Sequence, residues 1–556
     1  MLGANIILES LKKEKVEYIF GYPGGQVIPI FDALYDYDNF KFILPRHEQG
    51  GIHMADGYAR VSGKVGVVLV TSGPGATNII TGIATAYMDS IPLVCITGQV
   101  STALIGNDAF QESDITGITR PITKHNFLVK DVKDLALTIK KAFYIARTGR
   151  PGPVLIDIPI DVQKSSCNFV YPEEIDIASY RPNYDGNLKQ IKKAADLINK
   201  SKKPIFYAGG GVISSGATQI LLKILEKASI PVATTLMGLG AIEKNHKLNL
   251  GMIGMHGMCF ANFAMQEADL VIAIGTRFDD RVTGKVSTFA KGSKNIIHID
   301  IDPSTISKII DASVPVVGDV KIVLEELINY IEENDHSDWL EKINIWKEKF
   351  PLIYKKDDIL RPEYIIEEIA KISKGEDIIA TDVGQHQMWA AQYSYFKYPR
   401  SFITSGGLGT MGFGFPASIG AYLGSKKPVW CITGDGSFQM NLQELSTAFI
   451  HNIPVKIIII DNGFLGMVRQ WQEILYKKRY SETKLIGNPD FVKLAESYNI
   501  KAMRIDKKSD VSSAIKEANE YSGPILIDFI VEPEENVFPF VPAGNSIDDI
   551  MRGVEK

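Results

Sequence analysis

At 556 residues the chain is several times the roughly 100–200 residues of one domain, which excludes a peptide or a small binding module and predicts two to four cores. Its 60 Lys and Arg against 65 Asp and Glu leave a net charge of −5, with no stretch basic enough to neutralise a phosphate backbone, so nucleic acid is not expected as a partner. Hydrophobic residues at 45% and charged residues at 22% are the balance of a soluble globular protein.

The first residues place Ile6, Ile7 and Leu11 at helical spacing and meet a strand-like run within about twenty residues, unlike a signal or transit peptide. Up to about residue 165, apolar runs at 18–20, 40–43, 65–71 and 93–97 alternate with helical patterns, which predicts a parallel sheet covered on both faces. Residues 164–200 show neither period and read as a linker. A central domain, 190–330, follows, with strands expected at 205–208, 232–235, 270–274, 296–301 and 316–317. A polar, Trp-containing segment at 333–362 leads to a third domain, 363–535, and a tail, 536–556. The expected fold class is therefore α/β, with three doubly wound parallel sheets, the first and third being candidates for two copies of one architecture.

The longest apolar runs, such as Val455 to Ile460, are strand-length, so no membrane span is expected. The four cysteines, Cys95, Cys167, Cys259 and Cys431, form no CxxC pair, which argues against disulfides or a thiolate zinc site and for a reducing, cytoplasmic setting. His47 and His53 do not make an HExxH zinc motif, because position 51 is glycine.

The densest chemistry lies in the third domain. A strand ends in Gly434-Asp435-Gly436, a helix follows, and a second strand ends in Asp461-Asn462, so Asp435 and Asn462 stand 27 residues apart. That is one βαβ crossover, and neighbouring strands would deliver both side chains to the carboxyl edge where open α/β sheets bind ligands. A carboxylate and an amide oxygen suit Mg²⁺ together with phosphate oxygens, and flanking glycines admit a diphosphate close to the backbone. Read separately, Asp435 is an ordinary turn residue and Asn462 a loop cap.

Gly-Asp-Gly followed after 25 residues by Asn resembles the thiamine-diphosphate motif of the pyruvate-decarboxylase-like superfamily. With GYPGG at 21–25, RHEQG at 46–50, TSGPGATN at 71–78, GNDAFQE at 106–112, GMHG at 254–257, RFDDRVTGK at 277–285, GQHQMW at 384–389, GGLGTMGFGFPA at 406–417 and MVRQWQ at 467–472, the chain resembles the acetolactate synthase large-subunit family over nearly its whole length. The resemblance implies two pyruvates condensed to 2-acetolactate with loss of CO₂, or pyruvate with 2-ketobutyrate giving 2-aceto-2-hydroxybutyrate, in branched-chain amino-acid synthesis. A pyruvate oxidase sharing fold and cofactors, and a non-catalytic nucleotide-binding paralogue, remain alternatives.

By the same resemblance Glu48, otherwise an unremarked first-turn helix acid, holds the aminopyrimidine nitrogen of thiamine diphosphate. Met411 shapes that cofactor, and Gly25, Gly384, Gln385, His386 and Gly409 contact it. Gly434, Gly436, Ser437, Asn462 and Gly466 surround its diphosphate, and Asp435, Asn462 and Phe464 hold Mg²⁺. Phe110, Gln111, Met255, Arg281, Met467 and Trp471 line the acceptor site, with Arg281 on the carboxylate and Trp471 favouring 2-ketobutyrate.

AGGGVISSG at 208–216 misses the dinucleotide GxGxxG pattern only at Ser214. The resemblance places FAD, in a structural role, on Arg150, the Gly209, Gly210 and Gly211 turn, His256, the Gly275, Thr276 and Arg277 run, Asp300 and Asp319. It further implies a homodimer or homotetramer with the active site between subunits, and a small regulatory subunit. Three departures stand out: Ile160 where the family has Lys, Gln26 where a small residue is usual, and Asp461 where an Asn commonly precedes Asn462.

Overall fold

The protein is described here by a computed structural model covering residues 1–553. The first sheet contains β1 (Tyr18–Tyr22), β2 (Lys41–Ile43), β3 (Gly66–Val70), β4 (Leu93–Gln99), β5 (His125–Leu128) and β6 (Val154–Pro159), ordered β2-β1-β3-β4-β6-β5. The central sheet contains β7 (Pro204–Ala208), β8 (Val232–Thr234), β9 (Asn249–Met252), β10 (Leu270–Ile274), β11 (Asn295–Asp300) and β12 (Val314–Val317), ordered β12-β11-β10-β7-β8-β9. The third contains β13 (Ile378–Thr381), β14 (Phe402–Ile403), β15 (Val429–Gly434), β16 (Val455–Asp461), β17 (Lys501–Ile505) and β18 (Ile525–Ile530), ordered β14-β13-β15-β16-β18-β17.

Every pairing within these sheets is parallel. Parallel strands need helical crossovers, which bury both faces; that is why β3, β7, β10 and β15 are apolar or small throughout and fully buried. Counted from its own first strand, the third sheet repeats the winding order of the first, so the two are copies of one architecture. The central sheet winds differently, as 3-2-1-4-5-6 when read from β9, the order of dinucleotide-binding domains.

The linker is shorter than its sequence suggests. Asn187 Oδ1 accepts hydrogen bonds from Lys189 N and Gln190 N and starts the helix Leu188–Lys200. That helix buries only Ile191, Ala194, Ala195 and Ile198, so its lysine-rich outer face masks the apolar stripe.

The first and third domains share a core containing Phe20, Val68, Ile419 and Ile457. Their helices Glu48–Ser62 and Gly414–Ser425 meet almost backbone to backbone: a Cβ on Gly57 would lie 2.0 Å from Ala417 O, and one on Gly420 1.8 Å from Met54 O. The tail straps the third domain to the central one. Val537 and Gln470 exchange two hydrogen bonds, Val541 N donates to Met255 O, and Asn262 Nδ2 donates to Ile547 O. Among the described residues, no helix is long and apolar enough to cross a membrane.

Candidate active site

The carboxyl ends of β13, β15 and β16 form one edge of the third sheet. In the β15–β16 ladder Gly434 is level with Ile460, so Asp435 and Asp461 emerge side by side, with Asn462 next. The Asp435 carboxyl is pushed up to about 7, first by burial and then by the charge of Asp461. Asn488 Nδ2 donates to Asp435 Oδ2 at 2.7 Å. Asn462 Oδ1 accepts from Phe464 N at 3.0 Å, and its Nδ2 donates to Gln385 Oε1 at 3.3 Å. The crossover between them is three short pieces, Asp435–Phe438, Leu442–Glu444 and Leu445–Ile450, where the sequence suggested one helix.

Glycines pack this edge tightly. A Cβ on Gly434 would stand 2.9 Å from His386 Nδ1, and one on Gly466 2.1 Å from Gln385 Oε1. Burial depresses the His386 pKa to about 3, so the ring is neutral, and its buried Nε2 has no partner among the described residues. Ser437 Oγ donates to Val383 O at 3.0 Å, and Gly409 takes a left-handed φ of +72°. Met411 Cε lies 3.9 Å from the position of a Cβ on Gly436.

A cavity of about 1090 Å³ runs from this edge into the central domain. Gly384, Gln385, His386, Gly409, Met411, Gly434, Asp435, Gly436, Ser437, Asn462, Phe464, Gly466, Met467 and Trp471 line it from the third domain. Met255, His256, Gly275, Thr276, Arg277 and Arg281 line it from the central domain, as do Gly209, Gly210, Gly211, Asp300 and Asp319, and Arg150 comes from the first.

In the central domain the cavity opens at the switch point between β7 and β10. There Gly211 N donates to Gly275 O at 3.0 Å, and a Cβ on Gly211 would lie 2.6 Å from Gly275 Cα, so neither position has room for a side chain. Arg150 bonds Ser90 Oγ at 2.8 Å and Asp302 Oδ2 at 3.3 Å. Asp319 caps the helix Val320–Leu327, and burial raises Asp300 to about 6. The His256 ring stacks on Phe540 with centroids 5.5 Å apart and its buried Nδ1 unpartnered among the described residues. Met255 N donates to Arg281 O at 2.7 Å, and the Arg281 guanidinium lies 5.9 Å from the Trp471 ring centroid.

Gly25, Glu48, Phe110 and Gln111, all in the first domain, stand outside this cavity. Glu48 opens its helix behind the N-cap His47, whose Nδ1 accepts from Gln49 N, and Asn78 Nδ2 donates to Glu48 Oε2 at 3.0 Å. Gln111 has φ +58° and packs on Gly73, while Phe110 is 85% exposed. Gln26 N donates to Thr71 Oγ1 at 3.2 Å, and Ile160 opens the short helix Ile160–Lys164.

Sequence reasoning passed over the groups that hold these residues. Asp382, at the end of β13, accepts from Gly412 N at 2.7 Å and Thr433 Oγ1 at 3.1 Å, with burial raising it to about 6. Glu444 crosses to the first domain, accepting from Arg46 N at 3.0 Å and His47 N at 3.1 Å just before Glu48. Neither has a local motif; an acid directly after a buried apolar strand was the only signal for Asp382.

Residues 1–118 match the thiamine pyrophosphate enzyme N-terminal TPP binding domain, 191–327 its central domain, and 382–529 its C-terminal TPP binding domain. The chain is 49% identical to an acetolactate synthase of Mycobacterium bovis, covering 100% of this chain and 92% of that one. It is 49% identical to an acetolactate synthase large subunit of Corynebacterium glutamicum, covering 99% and 90%, and 47% identical to one of Haemophilus influenzae, covering 99% and 98%. Whole-length similarity at this level, on top of three matched TPP-enzyme domains, makes the chain a member of the acetolactate synthase large-subunit family of thiamine pyrophosphate enzymes.

Proposed function

We propose that the protein is an acetolactate synthase catalytic subunit, condensing two pyruvates, or pyruvate with 2-ketobutyrate, and releasing CO₂ in branched-chain amino-acid synthesis. The observation that carries this reading is the joining, in one cavity, of the Asp435 and Asn462 edge with Arg281 and Trp471. When bound, thiamine diphosphate supplies a nucleophilic carbon and an electron sink for decarboxylation.

The donor set fits Mg²⁺. A buried Asp435 beside Asp461 is costly without a cation, and Asn462 adds a hard oxygen. The set is lean, since among the described residues no three His, Cys, Asp or Glu side chains form a metal cluster, so diphosphate oxygens and water would complete it. FAD fits the central half of the cavity, which the Gly209 to Gly211 turn, packed directly on Gly275, lines at a dinucleotide switch point. Its role is structural, because the net reaction moves no electrons.

Glu48 holds a proton at the pyrimidine nitrogen, with Asn78 occupying Oε2 and Oε1 left for the cofactor. Neutral His386 offers an unpaired Nε2 to a polar ligand group. Arg281 takes the acceptor carboxylate, Trp471 covers its alkyl end, and Met255, Met467, Phe110 and Gln111 keep water out.

Because Glu48, Gly25, Phe110 and Gln111 stand apart from this chain's own cavity, the working site pairs them with the cavity of a second copy, giving at least a homodimer. The phrase "large subunit" in the relatives' names suggests a smaller companion as well. Four unpaired cysteines suit the cytoplasm.

The test is product formation from pyruvate by the purified chain with thiamine diphosphate, Mg²⁺ and FAD supplied together and then withheld singly. Acetolactate that needs thiamine diphosphate and Mg²⁺, without oxygen uptake, is expected; oxygen uptake with acetate or acetyl phosphate would make it an oxidase, and no product would overturn both.

A further inference from the structure

The segment Gly406 to Met411 brings Gly409 and Met411 to the cavity. Its own domain holds its ends: Gln387 Nε2 donates to Thr404 Oγ1 at 2.7 Å, and Gly412 N donates to Asp382 Oδ1 at 2.7 Å. Its beginning is gripped from the first domain. Asp89 Oδ2 accepts from Gly406 N at 3.1 Å, and Oδ1 accepts from Gly407 N at 2.7 Å.

Asp89 is itself fixed by Arg60, whose Nη2 donates to Asp89 Oδ2 at 2.8 Å. The rest of that guanidinium bonds Asp56 Oδ1 at 2.5 Å and Thr404 O at 2.8 Å, and it lies 5.1 Å from the Phe413 ring centroid. The Asp56 and Asp89 side chains are fully buried, and Arg60 is nearly so. Buried ions of this kind are commonly replaceable by apolar residues without loss of stability, so their presence needs another account. A carboxylate accepting two successive backbone N–H groups fixes both the place and the orientation of the chain. Glycine at 407 is required for that approach, since a Cβ there would stand 2.9 Å from both Asp89 Oδ1 and Met88 Cβ.

We propose that Asp89, held by Arg60, is a positioning residue that sets the Gly406 to Met411 segment, and with it Met411, for thiamine diphosphate. The proposal rests on the reading of Met411 as a cofactor contact. Releasing the grip leaves the Asp435 and Asn462 edge intact while the segment that shapes the cofactor drifts.

The experiment is calorimetric titration of the full chain with thiamine diphosphate in Mg²⁺, for the parent, Asp89→Ala and Asp89→Asn, alongside melting temperature and the KM for pyruvate. Asp89→Ala should weaken thiamine diphosphate roughly 10- to 100-fold, the scale of losing a buried charge-assisted pair of hydrogen bonds. Asp89→Asn should lose less, because its amide oxygen still accepts one N–H, and the KM for pyruvate should hold in both. A merely structural residue would lower the melting temperature without this graded change in cofactor affinity.

Should Asp89→Ala fail to fold, Gly407→Ala displaces the segment from Asp89 while keeping every charge, and the same weakening is expected. Unchanged affinity in folded variants overturns the proposal. Affinity is read without turnover, so a parent chain that binds thiamine diphosphate but makes no acetolactate would sink the functional reading and leave this test standing.

Discussion

The Arg281 guanidinium sits 5.9 Å from the centre of the Trp471 ring, a central-domain cation set over a third-domain aromatic face. Arg281 also pairs with Asp280 at 2.8 Å, but both of those side chains are largely exposed, so that ion pair contributes little. On the proposed reading, the position of Arg281 serves recognition more than stability.

Arg281→Gln should therefore raise the KM for the acceptor ketoacid roughly 10- to 100-fold, with a smaller change in kcat, as the loss of a charge-assisted carboxylate contact predicts. Trp471→Leu should lower the share of 2-aceto-2-hydroxybutyrate when pyruvate and 2-ketobutyrate compete. The two residues face each other at 5.9 Å, so the double variant should show non-additive losses. Steady-state kinetics and product ratios check all three; equal ratios for Trp471→Leu and the parent would remove Trp471 from acceptor choice.

Glu48→Gln keeps the helix start but loses the carboxylate proton site. Turnover should fall by about two to four orders of magnitude while thiamine diphosphate affinity stays within a few-fold. Asn78→Ala, which frees Glu48 Oε2, should show a milder loss. Near-parental rates for Glu48→Gln would refute its role.

Asp435 is held by Asn488 at 2.7 Å and crowded by Asp461. Asp435→Asn should raise the Mg²⁺ concentration needed for thiamine diphosphate binding by roughly 100-fold or more, and Asn488→Ala by about tenfold, the usual scale for an outer partner of a metal ligand. Titrating Mg²⁺ at fixed thiamine diphosphate and following intrinsic fluorescence separates them.

Away from the cavity, Asp157 on β6 is buried beneath Thr97 Oγ1 and Gln99 Nε2, and burial pushes it up to about 7 from the ordinary 3.8. The folded state therefore binds the extra proton between those values. Its stabilising effect is complete below about 3.8 and is lost as pH rises through about 7. Asp157→Asn should flatten the fall in unfolding free energy between pH 5 and 8 relative to the parent, by an amount on the order of 1 to 3 kcal/mol. Parallel curves for the two proteins would show that Asp157 stays ionised when folded.

What the sequence disclosed depended on how local the signal was. Strand ends with glycine and acid, such as Gly434-Asp435 and Asp461-Asn462, are local, and one crossover suffices to predict that they meet. The edge strands β5 and β9 escaped notice because His125–Leu128 and Asn249–Met252 are short and carry polar residues among the apolar ones, and the interior strand β6 was missed as well, its run broken by Asp157 and Pro159. Partners hundreds of residues apart leave no pattern at all. Glu444 on the backbone before Glu48, and Asp89 on Gly406, look like surface acids until the fold brings them in. The tail reads as irregular because its backbone groups bond scattered partners in two domains, such as the Gln470 side chain and Met255 O, rather than through a periodic face.

The backbone contact of Gly57 with Ala417 and of Gly420 with Met54 also bears on synthesis. One face of the first sheet is covered by residues near 420, so the segment that leaves the ribosome first cannot finish its core until most of the chain has followed. The central domain, whose clusters around Phe206 and Tyr207 draw mainly on its own residues, is free to close earlier. Proteolysis of chains stalled near residue 360 should find the central domain protected and the first still cleavable, an order of maturation opposite to the order of translation.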